Sequence, residues 1–185
     1  MLFASGAGSN VENIIHYFKN NASISIEGVF SNNPEAKVLE KASNHNIHTF
    51  LFQRNELTDG TVATIINTIK PDLIVLSGFL LKFPASIISE YPNKIINIHP
   101  ALLPKFGGKG MYGIKVHQAI LDQHETTSGI TIHYVNEHYD EGKFIFQKAI
   151  NIENCIPAEA IAEKIHQLEY EHFPKEIEKL LTAKS

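Results

Sequence analysis

The feature that most constrains this fold is an alternation of buried-strand patterns with amphipathic helix patterns along the first hundred residues. Apolar and β-branched residues predict five short strands, at residues 1–4, 24–30, 47–52, 73–76 and 94–98. Apolar residues at helical spacing predict helices between them, at residues 11–18, 36–42 and 62–69. Strands that alternate with helices favour a doubly wound, mostly parallel sheet in an α/β fold.

The expected helix boundaries rest on three residues with strong local preferences. Ser9 is a candidate N-cap of the first helix, Pro34 suits the opening of the second, and Pro71 would end the third. Strand 1–4 is short because the glycine-rich segment begins at Ser5. Two explanations stay open: residues precede Met1 in the native chain, or the strand is unusually brief.

The second half of the chain has a different pattern. Residues 104–113 are glycine-rich and predict a loop, and residues 114–121 predict a helix. Residues 130–135 and 144–150 predict two more strands, and residues 157–181 predict a final helix. No internal repeat or low-complexity linker interrupts this order, so we expect one domain over residues 1–185.

Composition restricts the possible partners and location. Hydrophobic residues make up 43% and charged residues 19%, and the net charge is −4, which gives no electrostatic reason to expect binding to nucleic acid or an anionic membrane. No apolar run approaches the ~20 residues of a membrane span. The sequence lacks a signal-peptide pattern, and its one cysteine, Cys155, cannot form an internal disulfide. We therefore expect a cytoplasmic protein, either a monomer or a homodimer.

Ser5-Gly6-Ala7-Gly8-Ser9-Asn10 is a glycine-rich segment between a predicted strand and a predicted helix. Glycines permit a tight turn and close approach of a ligand, and the N–H groups of a helix start attract an anion. The segment is not the dinucleotide fingerprint, because Val11 stands at the third glycine position. Two interpretations stay open: a connecting turn, or a site for one phosphate.

Asn97 and His99 are two polar residues at the end of the fifth predicted strand. Strand side chains two positions apart point the same way, so both would face one cavity at the carboxyl edge of the sheet. An amide and an imidazole there can donate hydrogen bonds to an oxyanion. A structural role for both is the alternative.

Asp140 lies in the loop between the last two predicted strands, where a nearby glycine could hold its side chain inward. His133 and His138 lie near acidic residues, but no HxxxH or HExxH pattern occurs, so we expect no catalytic metal. Cys155 has no evident base partner and is interpreted as a bystander thiol.

With these motifs in view, the sequence resembles the phosphoribosylglycinamide formyltransferase family of purine synthesis from Ser5 to about Pro174. The strongest element is Asn97-Ile98-His99-Pro100 followed by Leu102-Leu103-Pro104, which is similar to the core signature of formyltransferases. Residues 5–10 are similar to the family's phosphate loop, residues 30–32 to its second-strand ending, and residues 129–135 to the stretch before its catalytic aspartate. The resemblance implies a single-domain, Rossmann-like formyltransferase fold with helices on both faces of the sheet.

The resemblance also implies a reaction, in which the amine of glycinamide ribonucleotide attacks the formyl carbon of 10-formyltetrahydrofolate. Asn97 would hydrogen-bond the oxyanion, and His99 would stabilise the same oxygen and assist proton movement. Asp140 would hold the imidazole or an ordered water, and would raise the pKa of His99. The residues implied to bind the ribonucleotide are Gly8, Ser9, Asn10 and Glu169. The residues implied to bind the folate are Leu76, Phe79, Leu80, Val135 and Asn136.

Two departures from the family pattern bear on the site. Residues 80–84 are one position shorter than usual and lack an arginine, and residues 106–113 form a longer, glycine-richer loop. Lys109 in that loop is interpreted as a solvated lysine rather than a ligand. Two alternative functions stay open, a formyltetrahydrofolate hydrolase and a non-catalytic phosphosugar-binding protein, whereas the net charge of −4 and the length argue against a tRNA formyltransferase.

Overall fold

The computed structural model describes residues 1–183, in which seven strands and six helices alternate. The strands are β1 (Leu2–Phe3), β2 (Val29–Ser31), β3 (Thr49–Leu51), β4 (Ile74–Leu76), β5 (Ile95–His99), β6 (Thr127–Tyr134) and β7 (Phe144–Asn151). The helices are α1 (Ser9–Phe18), α2 (Lys37–Asn44), α3 (Thr61–Ile69), α4 (Ala85–Glu90), α5 (Ile114–Asp122) and α6 (Ala158–Thr182).

The seven strands form one sheet in the order β3-β2-β1-β4-β5-β6-β7. The five strands from β1 to β5 are parallel, and β6 and β7 each run antiparallel to their neighbours. The chain moves from β1 to one side and from β4 to the other, so the strand order reverses between these two neighbours. Such a switch point leaves a crevice at the carboxyl edge of the sheet.

Both faces of the sheet are covered by helices, as the sequence predicts. Leu2 and Val29 point into a core that contains α1, α2, α5 and α6. Phe3 and Phe30, their neighbours in the chain, point into a second core that contains α3 and α4. This alternation explains why β1 and β4 are apolar at every position, because a strand covered on both faces buries every side chain.

Several predicted boundaries were wrong, each for a local reason. Ser9 is the first residue of α1, and the N-cap is Gly8, which adopts a left-handed conformation with φ of 68°. Pro34 does not open α2, which begins at Lys37 after an extended Ala36. Strand β2 begins at Val29 rather than Ile24, because the ladder with β1 and β3 begins there. Helix α4 was not predicted, since six residues carry too little periodicity.

A buried hydroxyl joins the end of β5 to β6. Thr131 is fully buried; its Oγ1 donates to the Ala101 carbonyl at 2.7 Å and accepts from the Leu103 N–H at 3.0 Å. The side-chain amide of Gln147 on β7 also donates to this hydroxyl, at 2.9 Å. The turn that follows His99 is therefore tied to the two antiparallel strands.

Replacing Thr131 with valine keeps the volume of the side chain but leaves the Leu103 N–H without its acceptor. We expect the free energy of unfolding, measured by urea denaturation, to fall by about 1–3 kcal/mol, the usual cost of an unpaired buried polar group. Thr131→Ser keeps the hydroxyl and should lose less. A valine variant as stable as the parent would show that this tether does not stabilise the fold.

Candidate functional site

A cavity of about 830 Å³ opens at the switch point. Its wall is built from residues 6–10 after β1, residues 76–83 after β4 and residues 97–100 at the end of β5. All twelve residues that the resemblance implies as catalytic or binding residues line this cavity. The structure thus brings together side chains that lie up to 161 positions apart, from Gly8 to Glu169.

The catalytic candidates meet at the carboxylate of Asp140. Its Oδ1 lies 3.5 Å from Nδ2 of Asn97 and 3.5 Å from Nε2 of His133, and its Oδ2 lies 3.6 Å from Nδ1 of His99. The Gly108 N–H donates to Oδ2 at 2.9 Å. A carboxylate, an amide and two imidazoles therefore share one small volume at the edge of the sheet.

Local backbone geometry explains how Asp140 reaches this position. The residue has φ of +58°, a left-handed conformation that aspartate tolerates better than most residues. Loop 106–113 packs directly on it: a Cβ at Gly107 would lie 3.2 Å from Cβ of Asp140 and 2.5 Å from Cδ2 of Leu103. Gly107 therefore permits the close approach that delivers the Gly108 N–H to the carboxylate.

The imidazole of His99 is neutral at pH 7. Burial lowers its pKa below the ordinary value of 6.5, and this effect outweighs the carboxylate of Asp140 and the Phe106 carbonyl, which raise it. Asp140 does raise the pKa of His99, as expected, but burial outweighs this effect because only 3% of the residue is exposed. Nε2 lies 2.7 Å from the Phe106 carbonyl, which can only accept, so the proton of the neutral ring sits on Nε2.

The carboxyl of Asp140 is ionised. Burial alone would raise its pKa, but the neighbouring imidazoles of His133 and His99 and the hydrogen bond from the Gly108 N–H together hold the pKa below its ordinary value of 3.8. Nδ1 of His99, which faces Oδ2, is thus a proton acceptor beside a fixed negative charge.

His133 is a site residue that the sequence reasoning missed. It pairs with Asn97 across the β5–β6 ladder, and Nδ2 of Asn97 lies 3.2 Å from its Nε2. Its Nδ1 lies 2.9 Å from the Tyr134 carbonyl, so Nδ1 carries the proton and Nε2 accepts from Asn97. A histidine at a buried position of an alternating strand was the available signal, but its partner could be identified only once the strands were paired.

Gly8 shapes the turn between β1 and α1. A Cβ on it would lie 2.4 Å from Cγ2 of Val38, and its φ of +68° also disfavours a side chain. The turn is further held by α2, whose Val38 N–H donates to the Gly6 carbonyl at 3.2 Å. The first turn of α1 consequently lines the cavity, and its backbone N–H groups are candidate donors for an anion.

The side chain of Asn10 is not a free donor. Its Nδ2 donates to Oε2 of Glu169 at 2.8 Å. Glu169 is buried, and burial raises its pKa to about 7, against the opposing hydrogen bond from Asn10. Burial also lowers the pKa of His117, to about 4, so that imidazole is neutral. The fixed donors for an anion here are therefore the backbone N–H groups of α1.

Comparison with known proteins identifies the kind of chain that carries this geometry. Residues 1–177 match the formyl transferase family. The chain is 36% identical over 186 residues to the phosphoribosylglycinamide formyltransferase of Bacillus subtilis (strain 168), with 97% of this chain and 93% of that protein covered. The chain belongs to the phosphoribosylglycinamide formyltransferase family.

Other members of the family agree in fold and sequence. The crystal structure of phosphoribosylglycinamide formyltransferase from Anaplasma phagocytophilum has a TM-score of 0.89 at 32% identity, and the match covers 99% of this chain and 86% of that one. The chloroplastic phosphoribosylglycinamide formyltransferase of Arabidopsis thaliana is 37% identical over 175 residues, which cover 90% of this chain. The chain spans 60% of the length of this plant relative.

The end of the cavity that the family resemblance assigns to folate combines apolar and cationic residues. Leu76 is buried, Phe79 is partly buried against Phe3 with ring centroids 5.5 Å apart, and Leu80 is exposed. Arg54 and Lys82, which the sequence reasoning did not assign, also line the cavity. They provide exposed positive charges near the segment where the expected arginine is missing.

Lys109 is exposed, as expected, and it also lines the cavity. Within residues 1–183, the histidine, cysteine and carboxylate side chains close enough to share a metal ion are Glu12, His16 and His45, on the outer surface of α1 and α2. Among the described helices, none is long and apolar enough to cross a membrane.

Glu169→Gln keeps the shape and the acceptor for Asn10 but cannot ionise. Because the pKa of Glu169 is about 7 in the fold against 4.5 ordinarily, its ionisation destabilises the fold as the pH rises from about 4.5 to 7. The melting temperature of Glu169→Gln minus that of the parent should therefore increase over this range and level off above pH 7. Glu171→Gln, at an exposed carboxylate on the same helix, is the matched control and should show no such trend. A flat difference for Glu169→Gln would mean that Glu169 ionises normally.

Proposed function

We propose that this chain transfers the formyl group of 10-formyltetrahydrofolate to the amine of glycinamide ribonucleotide. The amine nitrogen attacks the formyl carbon, and the carbonyl oxygen becomes an oxyanion. The carbon–nitrogen bond to the folate then breaks as a proton from the amine reaches the departing nitrogen. Formylated ribonucleotide and tetrahydrofolate are the products, and no further reactant is needed.

The observation that carries this proposal is the convergence of Asn97, His99 and Asp140 in one cavity that also contains an anion-binding helix start. Acyl transfer needs a donor aimed at the developing oxyanion and a group that moves a proton. The same cavity has apolar walls for a flat ring system. The hydrolase and the passive binder are less favoured, since the relatives described above are named as phosphoribosylglycinamide formyltransferases.

Asn97 is the proposed oxyanion donor. One N–H of its side-chain amide is held by Nε2 of His133 at 3.2 Å. The other lies 3.5 Å from Asp140, at the outer limit of a hydrogen bond, and can turn to a substrate oxygen at little cost. His133 is a positioning residue in this scheme, because it fixes which way the amide points.

Asp140 and His99 are the proposed proton carriers. Nδ1 of His99 and Oδ2 of Asp140 are 3.6 Å apart, longer than a hydrogen bond. Arrival of a proton on Nδ1 would convert this contact into a charge-assisted pair, which favours proton pick-up from the attacking amine or from an ordered water. The same proton is then delivered to the folate nitrogen as the intermediate collapses.

The two substrates are proposed to occupy opposite ends of the cavity. The ribonucleotide phosphate would accept hydrogen bonds from the N–H groups at Gly8, Ser9 and Asn10, with Glu169 contacting the remainder of that substrate. The folate ring would lie against Leu76, Phe79, Leu80 and Val135, with Asn136 at its polar edge. Arg54 and Lys82 would attract the carboxylates of the folate tail, replacing the missing arginine.

The proposal is tested by a folate-dependent formyl-transfer assay with glycinamide ribonucleotide, run in parallel with water as the only acceptor. Formylated product that appears only with the ribonucleotide supports it. Release of formate at a comparable rate without ribonucleotide would identify a hydrolase instead.

Asn97→Ala removes the proposed oxyanion donor. We expect kcat to fall by about 10²–10³, the usual effect of losing one such donor, with folate affinity retained. Steady-state kinetics and folate binding by fluorescence measure the two quantities. Native turnover in this variant would exclude the role.

Asp140→Asn keeps the size of the side chain and removes its charge. Turnover should fall by at least about 10², while both substrates still bind within a few-fold. The carboxylate raises the pKa of His99, so its loss should lower that pKa further and move the acidic limb of the pH–rate profile to lower pH. Glu141→Gln, an exposed carboxylate in the same loop, is the matched control. Near-native turnover with an unchanged profile in Asp140→Asn would make Asp140 a turn residue only.

Four expectations from the sequence stay predictions. They are a cytoplasmic location, a monomeric or homodimeric state, no nucleic-acid partner, and chemistry without a catalytic metal. The first requires a direct localisation experiment, because the Arabidopsis thaliana relative is named as chloroplastic.

A further inference from the structure

Two histidines and a carboxylate meet on the outer surface where α1 packs against α2. Glu12 and His16 are four residues apart on α1 and so share one face of that helix. His45 is the C-cap residue of α2. The nearest ligand atoms of the three side chains all lie within 4.8 Å of one another. None of the three lines the cavity described above.

The hydrogen bonding of the cluster leaves its metal-binding atoms available. Oε2 of Glu12 pairs with Nζ of Lys41 at 2.7 Å, while Oε1 faces Nε2 of His45 at 4.0 Å. The bond from Lys41 is the main reason that the pKa of Glu12 lies below its ordinary value, so the carboxylate is charged at pH 7. Within residues 1–183, no hydrogen bond engages a ring nitrogen of His16 or His45.

The two imidazoles lie edge to face, and their ligand atoms are close enough to bind one ion. Their ring centroids are 4.6 Å apart at an interplanar angle of 81°. Zinc is bound by nitrogen and carboxylate oxygen at about 2.0–2.2 Å, so small side-chain rotations would bring the three ligand atoms around one ion. Two imidazoles and one carboxylate suit zinc and its neighbours in the transition series, whereas magnesium and calcium prefer oxygen ligands.

We propose that Glu12, His16 and His45 form a surface site for a divalent transition-metal ion, with zinc as the natural candidate and water as the remaining ligand. Lys41 would hold the outer oxygen of the carboxylate and so orient its other oxygen toward the ion, as hydrogen-bonded carboxylates do around bound metals. The site does not depend on the proposed formyl-transfer reaction.

The position of this site gives it a structural consequence. The Glu12 N–H donates to the Gly8 carbonyl at 2.9 Å and closes the first turn of α1. Val38 of α2 packs against Gly8 from the other side. An ion shared by Glu12, His16 and His45 would therefore clamp the two helices that support the anion-binding turn.

The test uses tag-free full-length protein that has been treated with a chelator. Zinc chloride binding is measured by isothermal titration calorimetry, and cobalt(II) chloride supplies visible absorption bands that report imidazole coordination and its geometry. The variants are His16→Gln and His45→Gln, each of which removes one ligand. His124→Asn, at an exposed histidine in a left-handed turn that asparagine tolerates, is the matched control.

The proposal is supported if the parent binds zinc and each of the two variants binds it at least about tenfold more weakly. His124→Asn should bind zinc as tightly as the parent. Melting curves recorded without metal establish whether each variant is folded. If one of the two variants does not fold, the other is sufficient to test the proposal. A parent dissociation constant above about 1 mM would overturn the proposal. Zinc affinity that is unchanged in a folded variant would also overturn it, because the bound zinc would then lie elsewhere.

Discussion

The negative charge of Asp140, withdrawn from water, is the constraint on which the candidate active site depends. Only 11% of this side chain is exposed, and an ionised carboxylate in such a position is stable only with hydrogen bonds and opposite charge around it. Two donors face it, the Gly108 N–H from loop 106–113 and the side-chain amide of Asn97 from β5, and the imidazoles of His99 and His133 lie 3.6 and 3.5 Å away. Because the buried carboxylate needs the Gly108 N–H as a donor, loop 106–113 closes over the end of the sheet.

The pair formed by Asp140 and His99 suits the proposed proton transfer because the two residues respond oppositely to the same environment. Burial keeps the imidazole neutral, whereas local donors keep the carboxylate charged. A proton that reaches His99 therefore gains the attraction of a charge already in place, without prior rearrangement of solvent. A fully charged pair at rest would have its proton already bound and would be a weaker base.

The turn between β1 and α1, which is the proposed anion site, is supported independently of this pair. It depends on the contact between Gly8 and Val38 and on the junction of α1 with α2. The buried Glu169 of α6 joins the same end through Asn10. Separate elements therefore support the proposed anion site and the Asp140–His99 end of the cavity. A change in the charge of Asp140 should leave the proposed anion site in place, so the roles of the two ends can be distinguished by experiment.

The amino-acid sequence by itself determined the class of fold and most of the candidate site. Apolar periodicity is a local property, and it was sufficient for the alternating strands and helices and for the shared direction of Asn97 and His99. The ordered motifs around residues 5–10, 97–104 and 129–140 were sufficient for the family. Only the tertiary structure decided that His133 orients Asn97, that Asn10 donates to Glu169, and that burial outweighs Asp140 in setting the pKa of His99. Hydrogen-bond partners depend on residues that are distant in the chain, and pKa values depend on how much water is excluded around a group. The spacing of neighbouring residues predicts neither.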